Sequence, residues 1–486
     1  MSFALSHFVK PNSIAKYLTT KNIQKVFNKF LPCQHLGRKA RETAFKQRAC
    51  NFEVTTFVYS LIAECGSFNN GDIHIEDVHR LYNQEARHSI ESKPFYEKMD
   101  SPECVNFMQS VTKILHEKCM LTADHRGKQL IKALHDCGLE VEDVEATDGT
   151  YWVIDNSLAE KYPGKRNAIK AKPVDGLYDP EGNPIYEKEN CAMIGLQNTY
   201  SLKTGCIKYS YVGSSTVSER DYVQVKEGKC ILHLMDDGYI DTKQDGLLEK
   251  IDSNGSYYIV QGRGNHACKV ISAKIDGRIT NLMNGEKISE FKYFEKKSIV
   301  DAQVEFANGF RCRLIRFWNK KDKWVSYLLT NISANKIKAA KILNLFRLRW
   351  QCEINWKFLK SGNALRGVKT CKETIVMVMM LASVCAYMVK HLLTALLSHF
   401  LPDISEFKIQ IRLTPGWFVD FMRSMMNSNE EKVKAMIKKL ISSRSDFRLN
   451  RQHISKELRH ATYYSVIKSL IEDGIEEPSV ELLEIA

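Results

Sequence analysis

Residues 230–236 read CILHLMD, an apolar run that ends in an acid and is followed by Asp237 and Gly238. A run this short and this apolar suits a strand buried on both faces, which belongs at the centre of a covered sheet. Upstream, Val144, Ala146, Asp148, Thr150, Trp152 and Ile154 recur at every second position, the period of a strand. Two strands that each carry an acid suggest where a site would lie, because open α/β sheets gather reactive residues at strand ends. Asp148 and Asp236 are therefore the first candidates.

The rest of the chain sorts around these strands. Up to about residue 135, apolar residues recur at helical spacing, as in Val54–Ile62 and Phe107–Leu115, and Gly66–Asp72 reads as a loop. Residues 163–190 hold four prolines and read as a surface insertion, and Met193–Tyr211 reads as a hairpin turning at 202–205. Between 255 and 330 the segments YYIVQG, HACKVIS, FRCRLIRFW and WVSYLLT read as further strands, and from about 334 to 400 the chain reads as helix. Ile375–Phe400 is apolar, but its uninterrupted part is shorter than the roughly 20 residues that span a bilayer, so a buried helix behind the Glu353 helix is expected and no membrane.

Composition narrows the partners. The chain has 486 residues, 44% hydrophobic and 26% charged, with a net charge of +13, which suits a soluble protein of several domains with a polyanionic partner. Residues 1–50 hold ten Lys or Arg, Lys39, Arg41 and Arg48 among them, against the single acid Glu42; residues 472–486 hold six acids and no base. So uneven a balance favours DNA contact at the N-terminus over a merely solvated helix face. A transit peptide has a similar composition, but Gln24–Phe30 and Phe52–Ala63 read as parts of a folded helical domain. Fourteen scattered cysteines with no CxxC pair point to reduced, cytosolic thiols, and Cys33 with His35 alone is no zinc site.

The stretch Phe346–Lys360, FRLRWQCEINWKFLK, has no Gly or Pro and reads as helix. Phe346, Arg349, Glu353 and Lys360 fall within one arc of it, beside an apolar arc of Leu345, Leu348, Cys352, Trp356 and Leu359. A carboxylate flanked by cations can bind a metal while its neighbours grip phosphate. An amphipathic helix with ordinary i,i+4 ion pairs accounts for the same residues.

Three segments together point further. The pattern aromatic-x2-Arg-x3-Glu-x6-Lys at 346–360, the Asp148-Gly149-Thr150 segment with LAEKYPG at 158–164, and Asp236-Asp237-Gly238-Tyr239 resemble the motifs of IS4 family DDE transposases, in order, over about 140–370. Phe346 stands where that family has Tyr, and Asp237 where it has Arg. The resemblance implies an α/β fold: an RNase H-like catalytic core with a β-strand-rich insertion, flanked by helical N- and C-terminal regions. It implies a helical DNA-binding domain at 1–135, a catalytic core at 136–370 interrupted by the insertion at 255–330, and a helical, dimerising region at 371–486.

Asp148, Asp236 and Glu353 would then be the catalytic, metal-holding carboxylates, with Asp155 and Asp237 as rivals for the first two. Two Mg²⁺ ions are implied, with Mn²⁺ as a substitute. Arg349, Lys360 and Phe346 would contact DNA. Trp318 and Trp324 would stack on a base or, on the plainer reading, belong to the core of the insertion. The expected partners are the double-stranded terminal inverted repeats and target DNA, bound by a homodimer in a prokaryotic cytoplasm at the nucleoid. The activity implied is cut-and-paste transposition; the alternatives are a catalytically inactive, transposase-derived DNA-binding protein and a stand-alone nuclease.

Overall fold

The computed structural model describes residues 31, 33–47, 51–67, 73–121, 125–164, 170–178, 180, 182–189, 192–263, 268–281, 284–287, 298–319, 324–362, 370–400, 415–427, 429–442 and 463–471. Among the described residues six helices come first: α1 (Cys33–Glu42), α2 (Val54–Gly66), α3 (Ile75–Glu85), α4 (Ser92–Met99), α5 (Pro102–Leu121) and α6 (His125–Asp136). The period then changes to that of strands, as the alternation at 144–154 requires.

Strands β1 (Asp143–Val153), β4 (Met193–Ser201), β5 (Cys206–Ser214), β6 (Ile231–Met235), β7 (Tyr257–Gly262), β8 (Cys268–Ile275), β9 (Arg278–Thr280), β10 (Val300–Phe306), β11 (Arg311–Asn319) and β12 (Trp324–Thr330) form one ten-stranded sheet. Its order is β5-β4-β1-β6-β7-β12-β11-β10-β8-β9. The remaining two strands, β2 (Lys170–Tyr178) and β3 (Pro184–Glu189), pair with each other in the proline-rich segment. Among the described residues only β1–β6 and β6–β7 pair in parallel; the other ladders are antiparallel. Ile231–Met235 of the apolar run becomes β6, every residue buried, the fourth strand from the β5 edge and the middle one of the parallel group.

The strands of 255–330 extend this same sheet instead of forming a separate one. β7 is a parallel partner of β6, and β12 returns beside it, so the strand-rich segment and the strands around Asp148 share one set of ladders. The sequence also concealed two of these strands, β9 and β10.

Alternation divides the sheet into two faces. On one, Val144, Ala146, Leu232, Leu234, Ile259, Ile315 and Leu328 pack under α6, α8 (Ala339–Phe346) and α12 (Tyr463–Ile471). On the other, Met235, Tyr258, Val260, Leu314 and Leu329 pack against α7 (Leu247–Ser253). Covering both faces satisfies what a strand such as β6 needs.

The third core crosses the domain limits expected at 135 and 370. Helix α10 (Glu373–Phe400) packs against α2 and α5, and α11 (Pro415–Met426) joins it through Phe418 and Phe421. The reason lies in α10 itself: apolar around its whole circumference, it has to be enclosed by helices on several sides. Its segment Glu373–Thr394 is long and apolar enough to cross a membrane by length and composition, and 94% of that window is buried within the protein.

Candidate active site

Strands β1 and β6 pair with Asp143 opposite Ile231 and Thr147 opposite Met235. The offset, 231 − 143 = 88, equals the spacing of the two candidate acids, 236 − 148 = 88. Asp148 and Asp236 are thus the next step of the register, one residue past the last paired positions of two neighbouring parallel strands. Both continue the even-numbered face of Val144, Ala146, Leu232 and Leu234, so they share a side of the sheet. Each carboxylate takes a hydrogen bond from the next backbone N–H: Gly149 N to Asp148 Oδ1 at 2.9 Å, and Asp237 N to Asp236 Oδ1 at 2.8 Å.

The third acid arrives from the helices above that face. The single helix expected over 346–360 is divided: α8 ends at Phe346, Arg347–Arg349 make a 3-10 turn, and α9 runs Trp350–Gly362. The turn lies over β1 and β6. Leu345, Leu348 and Cys352 anchor it in the core beneath, as the apolar arc anticipated. Glu353 falls in the first turn of α9, where a negative charge is favoured by the helix dipole.

Arg349 joins the pieces. It is 8% exposed, and its Nη2 donates to Glu353 Oε1 at 3.0 Å while Nη1 lies 3.8 Å from Asp236 Oδ2. Its guanidinium sits 5.8 Å from the centre of the Phe346 ring. Burial pushes the Asp148 carboxyl up to about 6; Glu353 and Asp236 act in the same direction, against Arg349 and the Gly149 N–H. Burial disfavours the charge on Arg349, but Asp236, Glu353 and Asp148 together outweigh it and raise its pKa. Acids separated by 88 and 117 residues (353 − 236 = 117) therefore act on one another electrostatically around one guanidinium.

The other candidates fall as follows. Asp155 is exposed and caps the short turn Asn156–Leu158, accepting from Ser157 N at 2.9 Å and Ser157 Oγ at 2.6 Å. Asp237 Oδ2 is paired with Arg263 Nε at 2.8 Å. The backbone of Lys360 lies in α9, while its side chain, like that of Trp324, lies outside the described residues.

Trp318 lies on strand β11. It pairs with Val325, whose row packs with Tyr327 and Leu329 against α7, so strand alternation puts it on the opposite face from Asp148. In the N-terminal basic cluster, Arg38 and Lys39 both pair with Glu42, at 3.5 Å and 2.5 Å, and Lys46 donates to Phe52 O at 2.6 Å. Arg41 is exposed on α1, and Arg48 lies outside the described residues.

Three carboxylates are hard oxygen donors, the set that suits Mg²⁺, which takes one or two carboxylates and fills its octahedron with water and phosphate oxygens. They fit in kind. In arrangement, no group of three His, Cys, Asp or Glu among the described residues converges on one point, and Arg349 supplies the countercharge.

Two residues here had no signal in the sequence. Arg263, just past β7, reaches Asp237 across the adjacent strand end. Glu219, in the turn Glu219–Tyr222, comes against Gly149 from the other side of the sheet. Neither has a spacing or motif that marks it, because each is brought in by a loop from a different strand.

No curated protein matches the chain. A family model does match, over residues 168–389, just under half of the chain; the span contains Asp236, Arg349 and Glu353 and begins after Asp148. That stretch is similar to a transposase DDE domain.

Proposed function

We propose that this protein is a DNA transposase of the IS4 kind. It binds the terminal inverted repeats of an insertion sequence and moves the element by cut and paste, with two Mg²⁺ ions, or Mn²⁺ in their place, held by Asp148, Asp236 and Glu353. The observation that carries the proposal is the coincidence of the β1–β6 register with the Asp148–Asp236 spacing, directly beneath Arg349 and Glu353.

When bound, such cations make a water or a 3′-hydroxyl nucleophilic and stabilise the leaving oxygen. The chain's own residues provide the rest. The raised pKa of Asp148 reflects burial and, after it, the charges of Glu353 and Asp236, so the cluster gains from a cation that neutralises it. Arg349, held by Glu353 and Phe346, presents a planar fork of donors beside the acids, suited to a phosphate of the strand being cut. Lys360 lies two turns along the helix from Glu353, at the spacing of one helical face, and supplies a second phosphate contact. The basic N-terminal segment adds affinity for the duplex, and a homodimer brings two ends together.

The test uses the full chain and a duplex bearing one transposon end. Wild type should nick it in Mg²⁺ and join the 3′-hydroxyl end to a target. Asp148→Ala, Asp236→Ala and Glu353→Ala should bind the end without nicking. Folded wild type that binds ends but never nicks would instead be an inactive DNA-binding protein, and nicking without joining would make it a nuclease.

A further inference from the structure

The β1–β6 ladder ends at Thr147 and Met235, so no hydrogen bond between those strands fixes the separation of Asp148 and Asp236. Something else must set it. Behind the acids, on the odd-numbered face, stand Gly149 and Tyr151 of β1 and Gln197 of β4, which pairs with Gly149. The turn Glu219–Tyr222 reaches this face from beyond β5 and packs on the turn Asp237–Tyr239 that follows Asp236.

The Glu219 carboxylate occupies the space a side chain on Gly149 would need. A Cβ there would lie 3.1 Å from Glu219 Cδ, 3.2 Å from its Oε1 and 2.4 Å from Gln197 Oε1. Its other oxygen, Oε2, faces Gly238, 3.8 Å from where that residue's Cβ would be. Tyr151 OH donates to Glu219 Oε1 at 2.5 Å, and the next residue, Arg220, donates from Nη1 to Ile240 O at 3.2 Å. Gln197 Nε2 donates to Tyr239 OH within the same layer. One carboxylate thus fills the space behind both the residue after Asp148 and the second residue after Asp236.

We propose that Glu219 is a positioning residue for the active site: braced by Tyr151, it holds the Gly149 and Gly238 backbones together from behind and so sets the separation of Asp148 and Asp236, and with it the affinity for the divalent cation. The proposal rests on the transposase reading above.

Calorimetric titration of the full chain with Mn²⁺, without DNA, tests it together with the Mg²⁺ dependence of nicking. Glu219→Ala should weaken Mn²⁺ binding about tenfold and raise the half-maximal Mg²⁺ concentration to match. Affinity for the DNA end and the urea midpoint should stay at wild-type values, which a merely structural residue would not allow. Glu219→Gln keeps the volume and an acceptor oxygen for Tyr151, so it should return to within about twofold of wild type.

Unchanged Mn²⁺ affinity in Glu219→Ala would overturn the proposal. So would Glu219→Gln as weak as Glu219→Ala, since the charge itself would then be required, as in a metal ligand. If Glu219→Ala does not fold, Tyr151→Phe takes its place: about threefold weaker Mn²⁺ binding is expected, and no change overturns the proposal. Folded wild type that neither binds Mn²⁺ nor nicks would overturn the transposase reading first and this inference with it, a result distinct because it concerns the unaltered chain.

Discussion

Strand β1 carries two acidic clusters, on opposite faces and towards opposite ends, and they are completed in different ways. At its start, Asp143 and Glu145 share Lys208, whose Nζ lies 3.2 Å and 2.5 Å from them. Asp143 Oδ1 also accepts from Val144 N at 2.8 Å, Ser201 Oγ at 3.0 Å and Lys203 N at 3.2 Å. Further along, Asp236 and Glu353 pair with Arg349, whose charge also acts on Asp148, and Asp148 takes a hydrogen bond from its own neighbour, Gly149. The first cluster is saturated by the fold and holds strands together. The second is left with an excess of negative charge, which a folded chain tolerates where a ligand completes it. Acids on a buried strand are therefore informative about function through what pairs with them.

The largest effect expected from this contrast is on chemistry. Asp236→Ala should lower metal-dependent nicking on the order of 10³-fold or more, with end binding retained, while Lys208→Ala should leave the rate of the folded fraction near wild type. Equal losses in the two variants, measured at saturating DNA, would break the comparison.

Stability should respond in the reverse sense. Lys208→Ala leaves two buried carboxylates without their cation and should cost about 3 kcal/mol in urea unfolding. A cost below about 1 kcal/mol would place that cluster among ordinary surface pairs.

Asp148→Asn should stabilise the metal-free protein. The folded pKa of Asp148 is raised to about 6 from 3.8, so the proton-linked stability it contributes is complete below about pH 4 and is lost as the pH rises through about 6. At pH 7 the wild type carries that penalty and the amide does not, a gain of up to about 2–3 kcal/mol. The gain should disappear at pH 4, and denaturant midpoints at the two pH values check it; a gain independent of pH would assign it to packing.

The smallest expected change is Arg349→Lys. A point charge still balances the acids but cannot present a planar fork, so nicking should fall about tenfold with little change in end affinity. Wild-type nicking at saturating DNA would show that Arg349 acts only as a countercharge.

Where burial is encoded locally, the chain could be read directly. The alternation at 144–154 gave β1 and the run at 230–236 gave β6, because one strand's own neighbours report its faces. The offsets 346, 349 and 353 likewise anticipated the meeting of Phe346, Arg349 and Glu353, even though a 3-10 turn interrupts the helix between them. The reading faltered where long-range packing decides. Val300–Phe306 mixes buried and exposed residues without a clear apolar run, and was recognisable as β10 only between β11 and β8. Trp318 was legible as a strand residue, but its face depends on register with Val325. Glu219 carries no local signal at all, since its importance comes from a glycine on β1 and another in the turn after β6.

The sequence by itself determined the chemistry available: three carboxylates, an arginine one helical turn from one of them, two strands able to present the other two, and a basic N-terminal segment for a polyanion. Tertiary structure alone decided that the spacing of 88 residues is also the register of β1 on β6, that Arg349 lies between Asp236 and Glu353, and that Glu219 stands behind the strand ends. The physical reason is that periodicity fixes which side of an element a residue occupies, whereas the register between elements is set by the packing of the whole sheet, to which distant residues contribute.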